Sequence, residues 1–206
     1  MKKRFKSILK LIIKRLPYLK AFYETSGTAA PITIKTLFFQ KILGFNREAY
    51  WPAHFTSKII GPKNILIGIG TAPGLSPGCY IQGLGKIYIG DYTIIGPNVG
   101  IISANHKVTD HRKHDFSEVK IGKYCWIGMN SVIMPGVELG DYTIVGAGSV
   151  VTNSFPEGYC IIGGTPAKII RSLDRSQCIH FENQYKYYGY IKAEKFDRYR
   201  KRKLNV

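Results

Sequence analysis

Acidic residues are scarce in this chain. Thirteen Asp or Glu stand against 30 Lys or Arg over 206 residues, for a formal net charge of +17. Cysteine is scarce too. Cys79, Cys125, Cys160 and Cys178 are far apart and form no C-x-x-C pair, which excludes a disulfide scaffold or zinc knuckle and fits a reducing compartment. No apolar run is long enough to cross a bilayer. Lys14 and Arg15 interrupt the N-terminal one and no small-residue cleavage site follows, so neither a signal peptide nor a spanning helix is expected, and the cytoplasm is the expected location. A Ser-His-Asp arrangement, a covalent-nucleophile motif and a phosphate loop are also missing. The glycines at 83 and 85 belong to a turn and carry no nucleotide signature.

The length suits one domain with a substantial core and short appendages. The charge is placed at the ends. Residues 1–20 hold eight Lys or Arg and no acid, and residues 166–206 hold eleven against four. Such ends suit an anionic surface or a phosphorylated ligand. No nucleic-acid partner is expected, and 192–203 reads as a solvated tail.

The middle of the chain is periodic. An aliphatic residue followed by Gly recurs every six positions: residues 89–106 read IGDYTI, IGPNVG, IISANH; 121–138 read IGKYCW, IGMNSV, IMPGVE; 139–156 read LGDYTI, VGAGSV, VTNSFP. Six residues suffice for one short strand and one turn, and three such units close a triangular coil of eighteen. The first slot (Ile89, Ile95, Ile101, Ile121, Ile127, Ile133, Leu139, Val145, Val151) should point inward, with Ile121 stacked on Leu139 and Ile127 on Val145. The fifth slot (Thr93, Val99, Cys125, Ser131, Val137, Thr143, Ser149) holds small or medium residues, as a narrow corner requires. Gly in the second slot is expected to supply unusual backbone angles at the turns. A β-sandwich would instead alternate with a period of two over longer strands.

These motifs, with IIGGTPAKIIR at 161–171, resemble the hexapeptide-repeat acyltransferases over roughly residues 58–171, and most nearly the galactoside, maltose and surface-polysaccharide O-acetyltransferases. The resemblance implies an all-β fold, a left-handed parallel β-helix. The left hand comes from the resemblance, since crossover rules alone favour the right. The expected organisation is an N-terminal helix and arm over 1–57, the β-helix over 58–171, and a basic aromatic tail over 172–206.

Phe5, Ile8, Leu9, Ile12, Ile13 and Leu16 fall at helical spacing among cations, which predicts a basic amphipathic helix over 1–20 ending near Pro17. Two readings stay open: a helix in an anionic membrane interface, and a helix packed on the prism or a neighbouring subunit. Residues 27–57 read as an irregular arm. The Gly- and Pro-rich stretch 68–85 reads as a loop bulging from an early coil that keeps Ile67, Ile81, Ile87 and Ile89 available to the stack. Phe181, Tyr185, Tyr187, Tyr188 and Tyr190 suggest a C-terminal helix along the prism.

A second register break follows His106: residues 107–120 leave the coil and return at Ile121. A solenoid needs no such insertion for stability, so the loop reads as a functional wall or lid. A histidine at its start can turn one ring nitrogen to a cleft while a carbonyl fixes the other. Acyl transfer from a thioester to an alcohol needs a base for the hydroxyl and donors for the oxyanion. The resemblance places the family's catalytic histidine at His106, while His111 and His114 have no such support.

The resemblance further implies acetyl-coenzyme A as co-substrate, without a metal, in a groove between prisms of a homotrimer. Trp126, Gly128 and Met129 would flank the pantetheine arm, with Gly146, Ala147 and Thr152 adding contacts. Lys168 and Arg171 would meet the nucleotide phosphates. Met129 stands where relatives often have a small polar residue. Tyr80, Gln82 and Asn105 are the candidate contacts for a sugar acceptor. Competing readings are a serine O-acetyltransferase, an amino-sugar N-acetyltransferase, a zinc carbonic anhydrase and a non-enzymatic membrane scaffold. The zinc reading lacks an upstream histidine ligand in 55–105.

Overall fold

The computed structural model describes residues 17–206. The repeat folds as a coil of short parallel strands with three faces. Face A holds β1 (Lys58–Ile60), β3 (Tyr80–Gln82), β6 (Gly100–Ile102), β11 (Val132–Ile133) and β14 (Val150–Val151). Face B holds β2 (Ile65–Ile67), β4 (Lys86–Ile89), β9 (Glu118–Ile121) and β12 (Glu138–Leu139). Face C holds β5 (Ile94–Ile95), β10 (Trp126–Ile127), β13 (Thr143–Val145), β15 (Cys160–Gly164) and, folded back antiparallel on β15, β16 (Ala167–Ser172). The chain visits A, B and C in turn. One strand, β3, falls inside the stretch 68–85 that the sequence pattern assigned to a loop; Ile81 at its centre is fully buried.

Ile121 pairs with Leu139 and Ile127 with Val145, the eighteen-residue stacking read from the repeat. All nine first-slot aliphatics are buried in one column. Burial of each such side chain stabilises the fold by about 1.5–3 kcal/mol. The fifth slot is buried as well. Its hydroxyls are satisfied locally: Ser131, Thr143 and Ser149 donate to the carbonyls of Gly128, Gly140 and Gly146 at 2.6, 2.7 and 2.7 Å.

The turn chemistry differs from expectation. The left-handed backbone conformation falls at the fourth slot, on Tyr92, Asn98, Tyr124, Asn130 and Tyr142 as well as Gly136 and Gly148. The second-slot glycines answer to close packing between coils: a Cβ on Gly122 would lie 2.5 Å from the Asp141 amide nitrogen. Left-handed tyrosine costs roughly 1–2 kcal/mol per residue. The rings recover part of that by stacking along the corner between faces B and C, with centroids 5.3 Å apart for Tyr92–Tyr124, 4.9 Å for Tyr124–Tyr142 and 5.1 Å for Tyr142–Tyr159.

The C-terminal segment runs along this tyrosine ladder. Arg175 lies over the Tyr159 ring at 4.5 Å. Tyr142 and Tyr124 donate their hydroxyls to the carbonyls of Ile179 and Phe181, at 2.8 and 2.9 Å, and Asn183 N–H donates to the Tyr92 hydroxyl at 3.2 Å. The expected aromatic helix is therefore an extended strap, because its anchor is a row of hydroxyls along the prism axis. A hairpin, β17 (Tyr187–Tyr188) and β18 (Ile191–Lys192), follows, and apart from a 3-10 turn at Arg175–Gln177 helix is confined to Ala193–Lys203, where Phe196 packs on Tyr188.

Little of the expected helix over 1–20 falls within the described residues. A helix does cover Pro17–Thr25, past the residue at which the pattern placed a helix end. Its Glu24 accepts from the Tyr187 hydroxyl and pairs with Lys192 at 3.1 Å, joining the two ends of the chain. The arm is more ordered than an irregular reading allowed. A Thr33-capped helix, Ile34–Leu37, continues as a π-helical turn, Phe38–Ile42. Gln40, fully buried, holds it: its amide donates to the carbonyls of Asn46, Ala49 and Trp51, and its oxygen accepts from Ala53 N–H and the Tyr190 hydroxyl.

Candidate active site

The insertion after coil residue Ile102 is a two-stranded antiparallel hairpin, β7 (Ala104–Lys107) and β8 (Asp110–Phe116), leaving the corner between faces A and B. The coil resumes at Glu118, earlier than the expected Ile121, because β9 must already pair Glu118 and Val119 with Lys86 and Ile87. The expected loop 107–120 is thus mostly paired strand, and His106 sits within β7 rather than at the end of a coil.

Two residues not singled out in the sequence close the base of the hairpin. Ser103, fully buried, donates to the Gln82 carbonyl at 2.6 Å and accepts from Gly85 N–H at 3.0 Å. Ser117 N–H donates to the Ser103 carbonyl at 2.8 Å. The Gln82 side-chain oxygen accepts from Ala104 N–H at 3.1 Å, so this candidate acceptor contact also fixes the first residue of β7. Tyr80 is exposed on face A, and Asn105 is exposed beside His106, opposite Asp115. Alternation along β7 points Asn105 and His106 to opposite sides of the hairpin.

His106 is exposed, and its Nδ1 lies 2.6 Å from the His111 carbonyl. A carbonyl only accepts, so Nδ1 carries the proton and the neutral ring leaves Nε2 as a free acceptor. The ring packs against His114, its partner across the hairpin, at 4.3 Å between centroids. The acids of the hairpin are engaged elsewhere: Asp110 with Arg112 at 2.9 Å and Lys113 at 3.6 Å, Asp115 with Lys107 at 3.5 Å. The Arg112 guanidinium holds the Asp110 carboxyl below the usual range. Among the described residues, no group of three His, Cys, Asp or Glu is placed to hold a metal ion.

The other candidates lie on face C and its corner with face A. Trp126 stands outward between Ile94 and Ile144, 54% exposed. Gly128 stacks on Gly146 and Ala147: a Cβ on Gly128 would lie 2.7 Å from the Ala147 amide nitrogen. Gly128 and Gly146 donate their own N–H groups to Val145 and Ile162. The neighbouring coil therefore requires glycine at 128, whereas a Cβ on Gly146 would meet the Ile162 oxygen only at 3.4 Å. Met129 is exposed at the same corner. Lys168 and Arg171 are exposed on β16, paired in register with Gly163 and Ile161. Thr152 stands apart, at the far edge of face A.

In a three-faced prism, face C lies opposite the corner that carries the hairpin. One protomer therefore does not bring His106 to Trp126, Lys168 and Arg171. A concavity of about 560 Å³ on face B, beneath the C-terminal helix, contains none of the candidates. Its carboxylates are engaged within the protein: Asp91 pairs with Lys123 at 3.3 Å, Asp197 with Arg200 at 3.5 Å, and Asp141 accepts from Lys123 N–H at 2.7 Å.

Residues 118–153 match the family model described as bacterial transferase hexapeptide (six repeats). Nodulation protein L of Rhizobium meliloti (strain 1021) is 42% identical over 107 residues, covering 50% of this chain and 58% of the relative. The chain spans about half the length of the curated relatives it matches. Among solved structures, a galactoside acetyltransferase in complex with coenzyme A is 25% identical with a TM-score of 0.55, covering 86% of this chain and 89% of that one. A hexapeptide-repeat-containing acetyltransferase from Vibrio cholerae O1 biovar eltor, complexed with acetyl coenzyme A, is 28% identical with a TM-score of 0.51, covering 66% and 77%. These neighbours imply the left hand for the coil.

Proposed function

We propose that this chain, which carries the hexapeptide repeat of bacterial transferases, moves an acetyl group from acetyl-coenzyme A to a sugar hydroxyl. The observation that carries this reading is the His106 bond to the His111 carbonyl, which places the proton of the neutral ring on Nδ1 and makes Nε2 its acceptor nitrogen, on an exposed hairpin. The relatives named as acetyltransferases, two of them solved with coenzyme A or its acetyl ester, support the donor, and a galactoside acetyltransferase among them supports a sugar acceptor.

The chemistry needs no covalent enzyme intermediate. Nε2 of His106 takes the proton of the acceptor hydroxyl as its oxygen forms a bond to the thioester carbonyl carbon. The tetrahedral oxyanion collapses, the carbon–sulfur bond breaks, and the imidazolium returns the proton to the departing thiolate. Trp126, Met129 and Ala147 would line the pantetheine, with Gly128, Gly146 and Thr152 shaping the groove. Lys168 and Arg171 would pair with the nucleotide phosphates. Tyr80, Gln82 and Asn105 would contact the sugar.

Because the base and the face-C residues lie on opposite sides of a prism, the groove needs a second protomer, and a threefold ring supplies three equivalent grooves. We infer a homotrimer acting at the cytoplasmic side of a membrane in surface-polysaccharide assembly, with residues 1–20 attaching it peripherally through charge and an apolar stripe. The test follows free thiol release from acetyl-coenzyme A over oligosaccharides, nucleotide sugars and serine. Release with serine alone, or with none of the hydroxyl acceptors, overturns the sugar assignment.

A further inference from the structure

The arm over 34–45 turns its apolar side outward. Ile34 is 70% exposed and Ile42 72%, and Phe38, Leu43 and Phe45 are each about half exposed. Ile34, Phe38 and Ile42 recur every four residues, one stripe of a helix. Leu43 and Phe45 continue it around the turn at Gly44. The patch is contiguous, because Phe38 and Phe45 both pack on Phe39, at 5.6 and 6.3 Å between centroids. It is also held rigidly. Phe39 stacks on Phe55 at 4.4 Å, Gln40 is anchored by five hydrogen bonds, and Asn46 bonds Ile59 N–H of β1.

The surroundings are cationic. Lys35 is exposed within the stripe, close enough to His54 to depress its basicity, after the larger effect of burial. Arg47 is exposed beside it, and Lys41 is tied to the Arg47 and Ala49 carbonyls. Residues 34–48 hold three cations, Lys35, Lys41 and Arg47, against one acid, Glu48.

We propose that this patch docks on an anionic lipid surface, with Ile34, Phe38, Ile42, Leu43 and Phe45 entering the headgroup boundary and the cations meeting lipid phosphates. The charge decides the occupant. A second copy packed patch on patch would set the same cations against each other, whereas an anionic bilayer complements them and accepts the apolar row between. The patch is separate from residues 1–20, and it requires no acetyl transfer.

The test is flotation of the full chain with vesicles of neutral phosphatidylcholine, with and without anionic phosphatidylglycerol. Wild type should float with the anionic vesicles and release as salt rises. The triple change Ile34→Ser, Ile42→Ser, Leu43→Ser keeps every charge and alters only exposed side chains. It should lower the vesicle partition coefficient roughly ten- to a hundredfold with unchanged thermal unfolding. Equal flotation of wild type and variant would overturn the patch and leave any attachment to the basic N-terminus. A second reading uses Ile42→Trp with brominated acyl chains: quenching of the new indole supports insertion. An indole shielded from iodide but unquenched by lipid overturns it, and assigns the face to residues 1–16, a second copy or an acidic protein.

Discussion

His106 gives its Nδ1 proton to the carbonyl of His111, 2.6 Å away across the hairpin, so the tautomer of one histidine is set by the main chain of another. The His111 side chain is not needed for this bond. His106→Ala should lower turnover by roughly two to four orders of magnitude and leave acetyl-coenzyme A binding intact. His111→Ala should retain most activity, since its carbonyl remains. Steady-state kinetics on both variants check this, and a folded His106→Ala protein with normal turnover removes the assignment of the base.

Lys168 and Arg171 project from the antiparallel strand that ends face C. Replacing both by Ala should raise the KM for acetyl-coenzyme A more than it lowers kcat, and the penalty should shrink with a donor lacking the 3′-phosphate. An unchanged KM would mean that they are ordinary surface charge.

Inter-coil glycine predicts a stability effect with no ligand involved. In Gly122→Ala the new methyl would meet main-chain atoms of Gly140 and Asp141 at 2.5–2.6 Å, well inside van der Waals contact. The coils must separate locally, costing about 1–3 kcal/mol and a few degrees in Tm. Differential scanning calorimetry reads this directly; an unchanged melting temperature would show that the coils yield freely there.

Glu24 links pH to the docking of the helix Pro17–Thr25. Burial raises its pKa, but the hydrogen bonds from Tyr187 and Lys192 and the charges of Lys192 and Lys20 outweigh that, and the net shift is downward. A depressed carboxylate stabilises the fold above its unfolded pKa, and the contribution is lost as pH falls through the folded value. Wild type should therefore lose stability below about pH 4.5 by a step that Glu24→Gln lacks. Urea unfolding of both proteins between pH 3 and 6 separates the two curves; parallel curves would refute the linkage.

The prism was legible because its signal is periodic. Every first-slot aliphatic and the seven small or medium fifth-slot residues lie inside, as their spacing requires. The hairpin was not legible as strand, because HKVTDHRKHDF has neither apolar alternation nor a Gly-Asn turn signal. The strap was missed for a different reason. Ile179 and Phe181 accept from the ladder hydroxyls through their carbonyls, and any residue has a carbonyl; the Phe181 ring also packs on Tyr92 and Tyr124, but an aromatic residue by itself does not distinguish a strap from a helix. Glycine at slot two was visible, but its cause lies in the neighbouring coil, which a linear reading does not show. A break in the coil near His106 could be read, whereas its place inside a paired strand and its separation from Trp126 across the prism needed the strand order.

The tyrosine ladder makes the tail a gauge of coil number. Anchors at 183, 181 and 179 meet rings at 92, 124 and 142, so the strap advances two residues for each coil it passes. Two extended residues reach about 6.6 Å, against the roughly 4.8 Å between stacked strands, so the match tolerates little added length. A solenoid with a free end can gain or lose a turn at small cost. Here an extra eighteen residues in the prism would call for about two more in the strap, or else pull the 187–192 hairpin off Tyr50 and Glu24 at the opposite end. The two parts of the chain can change length only together.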